Sequence, residues 1–145
     1  MGFDKLSPDD VILIRAQIKT NAIASQRFAK LGKIAWRDAA IVELMLMGVS
    51  PQEIGELLRK DLRFYQLTIA PKWGGRRTIT LDRTTREYLD HYLDGEEERL
   101  LLFVNQRGKP VGRRTLEQMI SKLGKQINRR LTPWALTRTG LKFEY

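Results

Sequence analysis

Gly48-Val49-Ser50-Pro51-Gln52-Glu53-Ile54 decides how this chain is read. A glycine after an apolar helical run can take the left-handed conformation that closes a helix. Two residues later Ser50 offers an N-cap oxygen, Pro51 fits the first helical position, and Glu53 completes a capping box. One helix therefore ends and another begins within a few residues. Behind this junction, residues 36–47 carry Ala40, Ile41, Leu44, Met45 and Met47. That helix is apolar over almost its whole inner side and is expected at the centre of the core. Ahead of it, Ile54, Leu57 and Leu58 keep helical spacing to about Lys60.

The same signals extend outward. Ser7-Pro8-Asp9-Asp10 reads as an earlier helix start, followed by Val11, Ile14 and Ile18 on one face. Residues 20–33 read as a second short helix or a loop, with Gly32 as a possible break. Alternation then replaces helical spacing. Leu67 and Ile69 alternate with Thr68 and Ala70, and after Gly74-Gly75 come Thr78-Ile79-Thr80-Leu81. Two such runs around Gly-Gly make a hairpin, with Pro71 at its edge or mouth. Helical signals resume over residues 84–93. Leu100-Leu101-Leu102-Phe103-Val104 is a short buried run, strand or extended, and residues 105–110 carry turn chemistry. Residues 115–127 form a helix with Leu116, Met119, Ile120 and Leu123 inward. Leu131-Thr132-Pro133-Trp134 starts a last element, and Trp134 reads as core.

The chain has 145 residues, 42% hydrophobic and 30% charged, which suits one folded domain with a real core. It has no cysteine, so disulfides and thiolate metal sites are excluded. The single histidine, His91, cannot build a zinc site by itself and reads as a surface residue. No run is long and apolar enough to cross a bilayer, and the first residues do not read as a secretory signal. The net charge is +9. Between Arg107 and Lys142 basic residues recur and Glu117 is the one acid. The acids cluster instead at Asp94-Gly95-Glu96-Glu97-Glu98, read as a solvated loop. Such one-sided charge favours a nucleic-acid surface.

Taken in order, four blocks resemble the catalytic domain of tyrosine recombinases, the phage integrases. Gly48 to Ile54, with Leu57 and Asp61-Leu62, is similar to that family's Gly-Leu-Arg-x-x-Glu-Ile, then Leu and Asp-Ile. Lys72-Trp73-Gly74-Gly75-Arg76-Arg77 and Leu81 resemble its hairpin, Lys-Gly-x-Lys-x-Arg. Leu102-Phe103-Val104-Asn105, Gly108, Pro110 and the helix from Thr115 resemble the next block. Leu131-Thr132-Pro133-Trp134-Ala135-Leu136-Thr137-Arg138-Thr139 resembles Thr-Pro-His-x-Leu-Arg-His-Thr. The resemblance covers about residues 6–140. It implies an α+β, mostly helical fold with a small antiparallel sheet or hairpin over about residues 65–81 on one side. It also implies a single domain over residues 1–145, without the C-terminal helices that carry the family's nucleophile.

That family cleaves DNA with a tyrosine nucleophile, two charge-balancing arginines, and a lysine and a histidine that handle protons. Carried over, the two arginines fall on Ser50 and Thr137, the lysine on Gly75 and the histidine on Trp134. Arg76 is a poor proton donor in the lysine's place, because its pKa is too high. Arg138 falls on the family's second histidine or tryptophan position. Tyr145 lies too close to Trp134 to match the nucleophile. These departures lead to the expectation of a DNA-binding domain that is not an enzyme and needs no metal or cofactor. It would act as a regulator or accessory factor of a phage, plasmid or integrated element, in the cytoplasm and at the nucleoid when bound. Duplex DNA contacts are expected from Lys72, Arg76, Arg77, Arg113, Arg114, Lys122, Lys125, Arg129, Arg130 and Arg138, with Arg76 and Arg113 foremost. Trp73 either stacks on a base or packs on the domain. The alternative function is a protein-interaction or oligomerisation module that binds itself or a genuine recombinase. DNA nicking by Tyr145, and binding of RNA, rank lower.

Overall fold

A computed structural model describes residues 6–96 and 98–141 of the chain. Among the described residues six α-helices surround one hydrophobic core, with a small antiparallel sheet on one side. Helix α1, Pro8–Ser25, begins where the sequence marks it. Ser7 Oγ accepts the Asp10 N–H at 3.1 Å, and the Asp10 carboxylate accepts the Ser7 N–H at 3.0 Å. Helix α2 runs from Ala29–Leu46, seven residues earlier than the apolar pattern announces. Gly32 does not break it. A Cβ at Gly32 would lie 3.0 Å from the Ser25 carbonyl, so glycine there lets the end of α1 approach α2.

Helix α2 is the axis of the molecule. Ala39 to Leu46 are all buried, and α1, α4 and α6 pack around it. Its charged residues are tied locally. Arg37 donates to Asp38 and, through Nη1, to the Val104 carbonyl at 3.1 Å, which fastens the 102–104 run to the core. Buried Glu43 accepts from Arg15 Nε of α1 at 3.1 Å.

At the exit from α2, Gly48 takes a φ of 101° and Val49 is buried. Helix α3, Pro51–Glu56, follows with its complete capping box. It is shorter than the spacing predicts. Leu57 is already extended, its carbonyl accepts the Leu102 N–H, and a single 3-10 turn, Arg59–Asp61, comes next. Pairing with the 101–102 segment takes the backbone groups that helix continuation would use.

The sheet has three strands in the order β1-β2-β3: Leu62–Arg63, Gln66–Ile69 and Arg77–Thr80. Leu67 pairs Ile79 across β2 and β3, and Ile69 pairs Arg77. Leu67 and Ile69 face the core, as the alternation requires. The two-residue strand β1 has no sequence signal of its own. Helix α4, Arg83–Leu93, is capped by Asp82. Residues 101–104 form no strand: they bend at Leu102 and Phe103 and enter only isolated bridges, Leu58 with Leu101 and Val104 with Pro110. Helices α5, Arg113–Ile127, and α6, Pro133–Leu141, complete the fold. His91 is exposed and stacks on Trp36 with centroids 4.2 Å apart. Glu96 is more than a solvated acid, because Lys33 and Arg99 both reach it at 2.7 Å.

Helix α6 crosses the α2–α3 junction backbone to backbone. A Cβ at Gly140 would overlap Gly48 N and lie 2.6 Å from the Leu46 carbonyl. Gly140→Ala is therefore expected to destabilise by about 1–3 kcal/mol, the usual range for overpacking. Gly75→Ala meets nothing within 4 Å and should stay near wild type. Urea titration of both variants checks this contrast. Glu43 supplies a pH test. Burial pushes its carboxyl above the ordinary glutamate value, Arg15 opposes this, and Asp82 adds to it. A raised folded value means the protonated form favours the native state. The contribution is complete below the unfolded pKa and is lost as pH rises through the folded one. Glu43→Gln is thus expected to raise Tm near pH 7.5 and to give no such gain near pH 4, read by circular dichroism melts.

Candidate nucleic-acid interface

The junction that ends α2 brings together three of the four positions singled out by sequence, Ser50, Trp134 and Thr137. Ser50 is the cap of α3. Its Oγ accepts the Glu53 N–H at 3.1 Å, while Glu53 Oε1 accepts the Ser50 N–H at 2.9 Å. Thr137, fully buried on α6, donates its hydroxyl to the Val49 carbonyl at 2.8 Å. Positions 50 and 137 are thereby adjacent through one backbone carbonyl. Trp134 stands at the start of α6, where Thr132 caps the Ala135 N–H. It is 50% exposed rather than core, which corrects the sequence reading. The reason is local. The second residue of α6 points away from the α2 axis and lines a cleft with Pro51 and Gln52.

Gly75 belongs to the β2–β3 hairpin, and Arg77 ties that hairpin to the same junction. Arg77 forks onto the Glu53 carboxylate, Nη1 to Oε2 at 2.7 Å and Nη2 to Oε1 at 2.9 Å. Glu53 therefore closes the helix cap on one side and clamps the hairpin base on the other. The Arg77 hydrogen bonds, with help from the Ser50 N–H, hold its carboxyl below the ordinary glutamate value.

Between α3, α5 and α6 lies a cleft of about 680 Å³. Its lining includes Pro51, Gln52, Val111, Arg113, Thr132 and Trp134. Arg113 stands at its mouth, 88% exposed, with Glu117 one turn along at 3.5 Å. Along the outer face of α5, Arg114, Lys122 and Lys125 border a second, shallower hollow. Lys72 and Arg76 are exposed at the hairpin tip, Arg130 is exposed on the segment before α6, and Arg138 is exposed on α6 itself. Arg129 is committed elsewhere, to Asp10 of α1 at 2.9 Å. The expected cations thus fall into two sets. Arg77 and Arg129 brace the fold. Lys72, Arg76, Arg113, Arg114, Lys122, Lys125 and Arg130 project from the hairpin tip, from α5 and from the loop after it, and Arg138 is exposed on α6. Tyr145 and Lys142 lie outside the described residues. Sequence reasoning did not foresee the clamping role of Glu53, although its place in the capping box was legible. Among the described residues there is no cluster of groups suited to hold a metal ion, and no helix long and apolar enough to cross a membrane.

The sequence model of the phage integrase family matches residues 12–139. The chain belongs to the phage integrase family. Tyrosine recombinase XerS of Streptococcus uberis is 26% identical over 132 residues, covering 82% of this chain and 37% of that protein. Tyrosine recombinase XerD of Staphylococcus haemolyticus is 30% identical over 113 residues, covering 70% of this chain and 38% of that protein. The chain thus spans well under half the length of these curated relatives. Among solved structures, XerH recombinase bound to its difH substrate covers 94% of this chain and 41% of its own, with a TM-score of 0.73 at 18% identity. XerA recombinase gives 0.72 at 23% identity, over 94% of this chain and 47% of its own. These likenesses establish the mostly helical fold with its small antiparallel sheet as that of the recombinase catalytic domain. They also correct one expectation. The chain was read as no enzyme from Ser50, Gly75, Trp134 and Thr137. Its family and its relatives are recombinases, and nothing in the structure shows inactivity.

The Glu53 clamp yields a test. Arg77→Ala should destabilise by about 1 kcal/mol, the value of a bidentate pair discounted for the solvent that screens Arg77. A depressed carboxyl contributes stability above its unfolded value and loses it as pH falls. The difference from wild type should therefore shrink below about pH 4. Chemical denaturation at two pH values measures it.

Proposed function

We propose that the chain binds duplex DNA and serves DNA recombination. In this reading the cleft between α3, α5 and α6 faces the sugar-phosphate backbone, and the hairpin lies beside it. The carrying observation is the basic outer face: Arg113, Arg114, Lys122 and Lys125 along one helix, with Lys72 and Arg76 on the hairpin. Phosphate neutralisation by such side chains supplies most non-specific affinity. The first turn of α5 adds backbone N–H donors beside Arg113. Support also comes from the neighbours in fold. XerH is seen on difH, and the Tn1549 transposon integrase in complex with transposon right end DNA has a TM-score of 0.70 to this chain.

The natural setting for this activity is a mobile element or a chromosome undergoing recombination, with the chain holding DNA as a recombinase or as a factor beside one. A second reading has its own observation. A groove of about 290 Å³ between α1, α2 and α5 is lined by Ile18, Leu31, Ile34 and Met119, and Leu31 is exposed. Its apolar floor suits a helix from a second chain or from another recombinase. Light scattering with and without a recombinase partner tests that reading, and strict monomers without capture would sink it.

The DNA reading is tested by a mobility-shift titration of a mixed-sequence duplex at several salt concentrations. Binding should weaken with salt, with a log–log slope of about 0.9 per phosphate contacted. Arg114→Ala, Lys122→Ala and Lys125→Ala together should reduce that slope by roughly 3. No shift at low salt, or a shift indifferent to salt, overturns the proposal. A supercoiled-plasmid assay on the same preparation reads strand cleavage directly.

A further inference from the structure

The sheet carries a feature that phosphate contacts alone do not use. From Leu62 to Leu81 the chain has Arg63, Lys72, Arg76 and Arg77 and no acid. At the tip of its longer hairpin, between Ile69 and Arg77, stands Trp73, 80% exposed. The other two tryptophans differ. Trp36 is buried between Tyr88 and His91, and Trp134 is half-exposed in the cleft. Gly74, with a φ of 121°, turns the chain directly after Trp73, and Gly75 has open space around it. Two successive positions after Trp73 therefore carry no side chain, and the indole stands largely in solvent. Its base is held at a fixed place by the Arg77–Glu53 fork.

We infer that Trp73 is a wedge that enters the minor groove of duplex DNA and stacks against a base step, steered by Lys72 and Arg76. An indole left in water forgoes the large apolar burial that tryptophan usually makes, so its place on the tip calls for an external surface. Two flanking cations, on a hairpin whose own residues include no acid, draw a polyanion. Base pairs expose flat π-faces once a step is partly opened, and apolar side chains inserted from the minor groove do this in other DNA-bending proteins. The loop of residues 70–76 carries Trp73 beyond the paired strands, with Gly74 and Gly75 directly after it. The inference rests on the DNA-binding reading and adds to it the residue that deforms the duplex.

The test uses the full chain and a mixed-sequence duplex. Wild-type tryptophan emission should fall on saturation with DNA, and the difference from Trp73→Phe isolates the part due to position 73. Trp73→Ala should bind roughly 5- to 100-fold more weakly, the equivalent of one lost base–aromatic stack, with an unchanged salt slope because no charge is removed. Trp73→Phe should retain most of the affinity. A minor-groove ligand preloaded on an A·T-rich duplex should compete with wild type more strongly than with Trp73→Ala. Because Trp73 lies in solvent, both variants should melt like wild type. Salt-dependent DNA binding with unaltered emission at position 73, or with full affinity in Trp73→Ala, overturns the wedge and leaves the DNA reading in place. Absence of DNA binding overturns both. An emission change with anionic vesicles but none with duplex assigns the tip to a lipid surface and also overturns the inference.

Discussion

The enclosure of helix α2 sets the rest of the structure. A helix buried from Ala39 to Leu46 gains apolar burial on every side, and it leaves the following chain no room to drift. The polypeptide must turn as soon as it leaves the core, and Gly48 supplies the conformation for that turn. Val49 is still buried, whereas Ser50 already stands at the edge of solvent. Helix α6 then seals the junction through Gly140 and through the Thr137 hydroxyl. The mouth of the cleft is in this sense a product of core packing. Its walls are helix ends whose directions were decided by what α2 required.

Local grammar made much of this legible from sequence. Ser7, Ser50 and Gly48 act within three or four residues of themselves, so their caps could be assigned without a fold. The Leu67 and Ile69 alternation worked for the same reason. The misreadings share the opposite cause. Gly32 looked like a break because the approach of Ser25 could not be seen. Helix α3 stops early because Leu57 finds a partner at Leu102, 45 positions along. Trp134 was taken for core on its chemistry, while its exposure follows from the orientation of α6. Glu96 is exposed as the acidic loop suggests, but its bond from Lys33 of α2 is a distant one that no local pattern shows.

Charge was the property least readable by counting. The sequence offers ten cations as DNA contacts, with Arg76 and Arg113 foremost. The structure separates them by partner. Arg129 and Asp10 lie 119 positions apart and join the segment after α5 to α1, and Arg77 belongs to the Glu53 clamp. Arg15 and Arg37 likewise satisfy acids or carbonyls of the core. Formal net charge adds such braces to the side chains that face outward, and only the latter shape the field seen by an approaching polyanion. The effective basic surface is smaller than the composition implies and more sharply located.

Ser50 shows how a structural duty can restrict the history of a position. An N-cap of this kind is worth about 1 kcal/mol, and here its loop also sets the carboxylate that grips the hairpin. A mutation at this position would therefore act at two places, the start of α3 and the base of the hairpin. Thr, Asp or Asn could keep the cap on the Glu53 amide, whereas a side chain without an acceptor would give up about that much stability. Position 50 thus links the start of one helix to the footing of a distant hairpin, so a change at one residue is felt in two parts of the surface.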